Sequence, residues 1–337
     1  MKHSFKGILF VRIFLLLLFL AFIAWVSAKL DWPLIVRQLG AASLPAEAAM
    51  AAAWLTALFI RPLRLLRLLR ALAPDIKQHY WHVWSADIVA MAVNSIMPMR
   101  AGDMMMAFIL RQGPGIPTAS VFSAVLIDRF FDFVTVVVIF VAALSVAPTV
   151  APWASDVTIT LLVALAVLIG GLGVAIRLRR FWGALFDRLL VSIAPRRSER
   201  GRILLRDLFD GLALMDKLHV VVPVVLLSIA LWSATITSYW FGMSAIWPSV
   251  SFEAAAFAAA AIALSFVVPL TPGGIGVFHA AAVLALSLFG VPAEAALAFA
   301  IIAHVFQLSS VLVLATIALI CQGISIRSLA NLRGTDV

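Results

Sequence analysis

The sequence predicts an all-α, polytopic membrane protein with about six full transmembrane helices plus two re-entrant helical hairpins, in an inverted-repeat-like arrangement. Three observations carry this prediction. Of 337 residues, 64% are apolar or aromatic and 12% are charged, with a mean hydropathy of +1.11, far from the composition of a soluble domain. The apolar residues gather into runs of roughly 20, the helix length that crosses a hydrocarbon core. Two further apolar runs are interrupted by Pro and Gly, as in discontinuous membrane helices.

The six uninterrupted spans are residues 8–28, 44–60, 119–146, 157–176, 220–247 and 294–321. The first follows Lys2 and Lys6 as a signal peptide would, but its length and the many spans behind it read as a retained helix. Region 84–110 is broken at Pro98-Met99-Arg100-Ala101-Gly102-Asp103, and region 252–289 at Pro269-Leu270-Thr271-Pro272-Gly273-Gly274-Ile275-Gly276. Each reads as two half-helices around a turn.

Basic residues set the expected orientation, because loops rich in Lys and Arg stay in the cytoplasm. Lys2, Lys6 and Arg12 place the N-terminus there, and Arg327 and Arg333 the C-terminus. The 177–217 loop has ten Lys/Arg against five Asp/Glu, whereas 147–156 and 248–253 have no Lys or Arg. The count closes if both broken regions enter and leave on one side, the first from the cytoplasm and the second from outside. An inner, plasma-membrane location of bacterial type is expected. The net charge of +9 therefore reads as topology and lipid-surface charge, not nucleic-acid binding.

The broken regions also align with each other. Pro98 falls on Pro269 and Gly102 on Gly273, an offset of 171, and Gly115-Ile116-Pro117 falls on Gly290-Val291-Pro292, an offset of 175. This gives one integral membrane domain over 1–337, with repeat halves at about 44–146 and 220–321 joined through the basic loop 177–217. Paired, Gly/Pro-broken segments point to a binding site between the halves.

Ionisable groups inside a bilayer cost several kcal/mol unless paired or wet, so each is a candidate functional group. Arg100 and Asp103 lie at the first break. Asp128 and Asp132 are one helical turn apart on the next span, with Arg129 able to pair with Asp132. A self-satisfied ion-pair network and a substrate site both fit this cluster. At the second break, Thr271 precedes Gly273, Gly274 and Gly276, which open a helix; its N–H groups suit an anion such as phosphate, and a simple tight turn is the other reading. No Gly-Lys-Ser/Thr follows, which argues against nucleotide hydrolysis. His279 and His304 are candidates for titration near neutral pH or for plain hydrogen-bonded packing. Arg61, Arg64, Arg67 and Arg70 recur every three residues among leucines and read as an interfacial, lipid-surface element. A single cysteine, Cys321, and scattered histidines offer no metal site, and no cofactor is expected.

At these residues the chain resembles the membrane domain of the lysylphosphatidylglycerol synthase/flippase family, which also occurs as stand-alone and hopanoid-associated proteins. The resemblance covers about 8–325. It rests on Asn94-Ser95-Ile96-Met97-Pro98-Met99-Arg100-Ala101-Gly102-Asp103, on Asp128-Arg129-Phe130-Phe131-Asp132, and on the run from Pro269 through Phe278. The family usually has Glu where Asp103 and Asp128 stand, and commonly an acid at His279. The resemblance implies translocation of an anionic or aminoacylated phospholipid, with Asn94 joining the substrate-binding set, and no enzymatic step. The aminoacyl-transferring soluble domain is expected to be absent. Two competing expectations are a non-transporting partner of a separate lipid-modifying enzyme, and an integral headgroup transferase using Asp103, Asp128 or Asp132 as base.

Overall fold

The computed structural model describes residues 31–73, 79–97, 101–111, 118–147, 154–177, 217–267 and 271–322. Among them the secondary structure is entirely helical: α1 (Trp32–Ala41), α2 (Leu44–Leu72), α3 (Tyr80–Ile96), α4 (Ala101–Arg111), α5 (Thr118–Leu144), α6 (Ala154–Arg177), α7 (Leu218–Ser244), α8 (Phe252–Ser265), a short 3-10 turn (Pro272–Gly274), α9 (Val277–Ser287) and α10 (Ala293–Cys321). Helices α2, α7 and α10 are each long and apolar enough to cross a membrane. The expected spans 119–146 and 157–176 fall on helices α5 and α6, which are not among the three that meet the length and apolarity of a span, while 8–28 lies outside the described residues. Helix α1 was not anticipated; Asp31 caps it by accepting from the Leu34 N–H at 3.0 Å.

One correction concerns α2. The expected span ended at Ile60, before the arginines, but the helix runs through Pro62 to Leu72. Helices α2 and α7 pack antiparallel along their length. Ser43 N–H donates to the Ala245 carbonyl at 3.0 Å, Ser238 Oγ to the Met50 carbonyl at 2.9 Å, and Arg64 Nη1 to Ser228 Oγ at 2.9 Å. Gly242 permits this approach, since a Cβ there would lie 2.6 Å from Met50 Sδ.

Two helical hairpins, α3–α4 and α8–α9, sit within this frame. The first is closed by a contact that only glycine allows: a Cβ on Gly102 would collide with the Ala90 carbonyl, and the Gly102 N–H donates to Asn94 Oδ1 at 2.8 Å. The second begins with Ser251, whose hydroxyl accepts from the Ala254 N–H at 3.2 Å and starts an alanine-rich helix. Ala254, Ala255, Ala258, Ala259 and Ala260 are all buried, because small side chains let membrane helices approach closely. Helix α3 packs on α10, and α8 on α5, where Phe140 and Phe257 meet at 4.6 Å between ring centroids. The C-terminal end of α3 reaches the Pro272–Gly274 turn, so the two hairpins meet at their tips.

Candidate functional site

Helix α5 carries its charges in mid-length, and the surrounding helices supply their partners. Arg64, on α2, has no exposed surface. Its Nε donates to Asp128 Oδ1 at 2.7 Å and its Nη2 to Asp132 Oδ1 at 2.8 Å. Asp132 Oδ2 pairs with Arg129 Nη1 at 3.5 Å, and Arg129 Nη2 with Asp103 Oδ1 at 3.2 Å. The sequence Asp128, Arg64, Asp132, Arg129, Asp103 is thus an unbroken line of alternating charge linking α2, α4 and α5. Trp232 of α7 joins it, donating from Nε1 to Asp132 Oδ1 at 3.4 Å. Asn94 Nδ2 donates to Asp103 at 3.4 Å, so one amide side chain holds both the Gly102 backbone and the terminal carboxylate. A second pair, Arg61 Nε and Asp87 Oδ1 at 3.3 Å, lies alongside.

These pairs correct the reading of the arginine run. A helix advances about 100° per residue, so a three-residue step drifts about 60°, and Arg61 to Arg70 turn through about 180°. Arg67 and Arg70 face outward. Arg64 is buried, and Arg61 lines the interior, so neither belongs to a lipid-facing surface. Asp87, buried in α3, was also missed by the sequence reading; the signal was a lone acid inside an apolar helix.

A cavity of about 330 Å³ opens beside this network. Asn94, Asp103 and Arg129 line one wall, Thr271, Gly273, Gly274 and His304 the opposite one, and Trp54, Arg61 and Gln307 stand between. A second cavity of about 240 Å³ shares Trp54, Arg61, Met91, Phe266 and Gln307 and reaches Asp132 and Trp232. The first is at the low end of the roughly 300–1,000 Å³ typical of small-ligand sites. It is large enough for a polar headgroup and too small for a whole lipid.

The glycine turn spends two of its amides internally. Gly273, Gly274 and Gly276 have φ of +63°, +69° and +85°, a region that favours glycine. The Gly274 N–H already donates to the Thr271 carbonyl at 3.1 Å, and the Gly276 N–H to His279 Nδ1 at 3.3 Å. Thr271 Oγ1 donates to the Ile275 carbonyl at 2.9 Å. Hence the N–H groups of Gly274 and Gly276 are engaged within the turn. The Gly273 carbonyl is bonded by His304 Nε2 at 2.9 Å. His304 stacks on Phe278 with ring centroids 4.6 Å apart, and His279 lies 5.1 Å from His304. His279, by accepting at Nδ1, shapes the turn. A Cβ on Gly273 would lie 3.2 Å from the Ser95 carbonyl, the point where the hairpin tips touch. Arg100 lies outside the described residues, as do Pro98, Pro269 and Gly115 to Pro117.

The fold and the site define an integral membrane protein of apolar helices, with a charge-lined cavity between two short helical hairpins. No group of His, Cys, Asp and Glu that could hold a metal occurs among the described residues. The family described as lysylphosphatidylglycerol synthase TM region matches residues 9–315, and the chain belongs to that family. No curated protein matches the chain.

Proposed function

We propose that the protein translocates a phospholipid with a charged headgroup between the leaflets of the inner membrane, both termini being cytoplasmic. The observation that carries this reading is the cavity in which Asp103, Arg129 and Arg61 sit between the tips of two hairpins. Carboxylate and guanidinium side by side suit a headgroup bearing an ammonium or hydroxyl as well as a phosphate. Among the described residues of the network there are four aspartates, Asp87, Asp103, Asp128 and Asp132, and three arginines, Arg61, Arg64 and Arg129. Arg100, three residues before Asp103 in the sequence, is the candidate phosphate ligand of this reading. Apolar side chains near the tips, Ile96, Val267 and Ile275, are exposed, which lets acyl chains stay in lipid while the headgroup moves.

In this reading the hairpins are re-entrant and the halves 44–146 and 220–321 are inverted repeats. The reciprocal packing of α3 on α10 and α8 on α5 favours that arrangement. A headgroup transferase is less well supported, because Asp103, the acid at the cavity, is already held by Arg129 and Asn94, and a general base must be free to take a proton.

The test is reconstitution in liposomes holding a fluorescent anionic phospholipid, or its aminoacylated form, with dithionite bleaching of the outer leaflet. Wild type should equilibrate the leaflets, and Asp103→Asn and Arg100→Ala should slow this at least tenfold with normal abundance. Asp103 is chosen because it ends the line of charges and leaves the Arg64 pairs intact. Wild-type transport retained in both variants would overturn the site, and a chemically altered lipid would favour the transferase.

A further inference from the structure

Beyond the hairpin site, a second basic cavity, of about 360 Å³, lies between the last turns of α2 and the first turn of α7. It is lined by Arg67 and Arg70 from α2, by Lys217, which precedes α7, and by His219 from α7, with Ala71, Val220 and Pro223 also on the wall. The positive end of the α7 helix dipole adds to the same field. From the cavity's lip, Leu218, Val222, Leu226 and Ile229 run down α7 at helical spacing, and all four are exposed. The result is a cationic recess at the end of a membrane-spanning helix pair, continued by an apolar stripe along the span.

We propose that this recess is a binding site for an anionic phospholipid, with its phosphate between Arg67 and Lys217 and an acyl chain along the Leu218, Val222, Leu226 stripe. A free phosphate would use the cations but not the stripe, which is why the lipid is the committed occupant. The site lies on the opposite face of α2 from Arg61, so it is separate from the hairpin cavity. It stands whether or not the protein moves lipid. By the positive-inside rule its leaflet is the cytoplasmic one, where anionic headgroups reward basic pockets between helices.

The experiment uses the full chain in neutral detergent and reads lipid adducts by native mass spectrometry together with the thermal midpoint. The probes are phosphatidylglycerol, phosphatidylcholine and inorganic phosphate. Wild type is expected to retain phosphatidylglycerol over phosphatidylcholine and to be stabilised by it. Arg67→Gln with Lys217→Gln should weaken phosphatidylglycerol binding about 25-fold, from two charges each worth roughly a factor of five. Arg67→Lys with Lys217→Arg should keep most of the preference, which separates loss of charge from loss of fold. Equal retention of the two lipids by wild type, or unchanged binding in the double Gln variant, overturns the proposal. Stabilisation by inorganic phosphate that matches the lipid and disappears in the Gln variant would assign the recess to free phosphate and overturn the lipid.

Discussion

Arg64 donates to Asp128, Asp132 and Ser228 from a position without exposed surface, so truncating it strands two carboxylates in a medium that cannot solvate them. Breaking a buried pair in this way costs about 3–5 kcal/mol. Arg64→Ala should therefore lower the thermal midpoint and the detergent-extracted yield sharply, as fluorescence-detected size-exclusion on a temperature series would read. Asp103→Asn should behave otherwise. Its carboxylate is partly open to the cavity and ends the line of charges, so solvent screening holds its contribution to about 1 kcal/mol or less. A midpoint equally depressed in both variants would mean that the network acts as one indivisible structural unit. The residues of this site were legible to different degrees. Asp128, Arg129 and Asp132 stood out because charges inside an apolar run need partners. Arg64 and Arg61 did not, because the run of four arginines begins where the expected span ends, and only the continued helix turns the first two inward.

Both breaks were visible as elements, because Pro and Gly interrupt apolar runs that are otherwise uniform. What the sequence could not supply was the internal bonding of the turns. Glycine at 102 reads as part of a turn, whereas its role is closeness, with α3 and α4 touching backbone to backbone. Gly102→Ala should force the hairpin apart and cost about 1–3 kcal/mol by overpacking, read as a lower midpoint and as loss of translocation. Gly274→Ala meets the Phe266 ring at a positive φ and should behave alike. His304→Leu should leave the helices folded but release the Gly273 carbonyl, so protease or hydrogen-exchange protection should fall at 271–276 and hold along α10. Protection unchanged at the turn would mean that Phe278 and the Ser95 contact suffice to hold it. The glycine run was open to two readings, an anion cradle and a tight turn, and part of the turn's bonding is local: Thr271 and His279 are close enough in sequence to claim the N–H groups of Gly274 and Gly276.

Across the whole molecule, water and lipid should divide sharply between the hairpin cavity and the outer faces of the spans. With Cys321, the only cysteine, replaced by Ser, Met97→Cys at the cavity wall should react with a water-soluble thiol reagent, and Leu226→Cys on the outer face of α7 should not. Protection of the first by added phospholipid would tie the cavity to its ligand. Equal reactivity at both positions would mean that the cavity is no wetter than the lipid-facing surface. The all-helical class was readable from composition because a bilayer leaves the backbone so few options. The antiparallel pairing of α2 with α7 was not, since apolar helix faces look alike until Gly242, Ser238 and Arg64 select one register.

The Arg64 hub also sets an order of events at the ribosome. Its first acidic partners follow 64 and 68 residues later, and Ser228 another hundred beyond. At a synthesis rate of about 5–20 residues per second, the nascent second helix waits roughly 3–13 s for Asp128 to emerge. An arginine in mid-helix lowers the odds of stable release into lipid over that interval. Helix α2 should therefore stay beside the insertion machinery until α5 arrives, and chains truncated before Asp128 should be cleared by membrane proteases faster than chains truncated after Asp132.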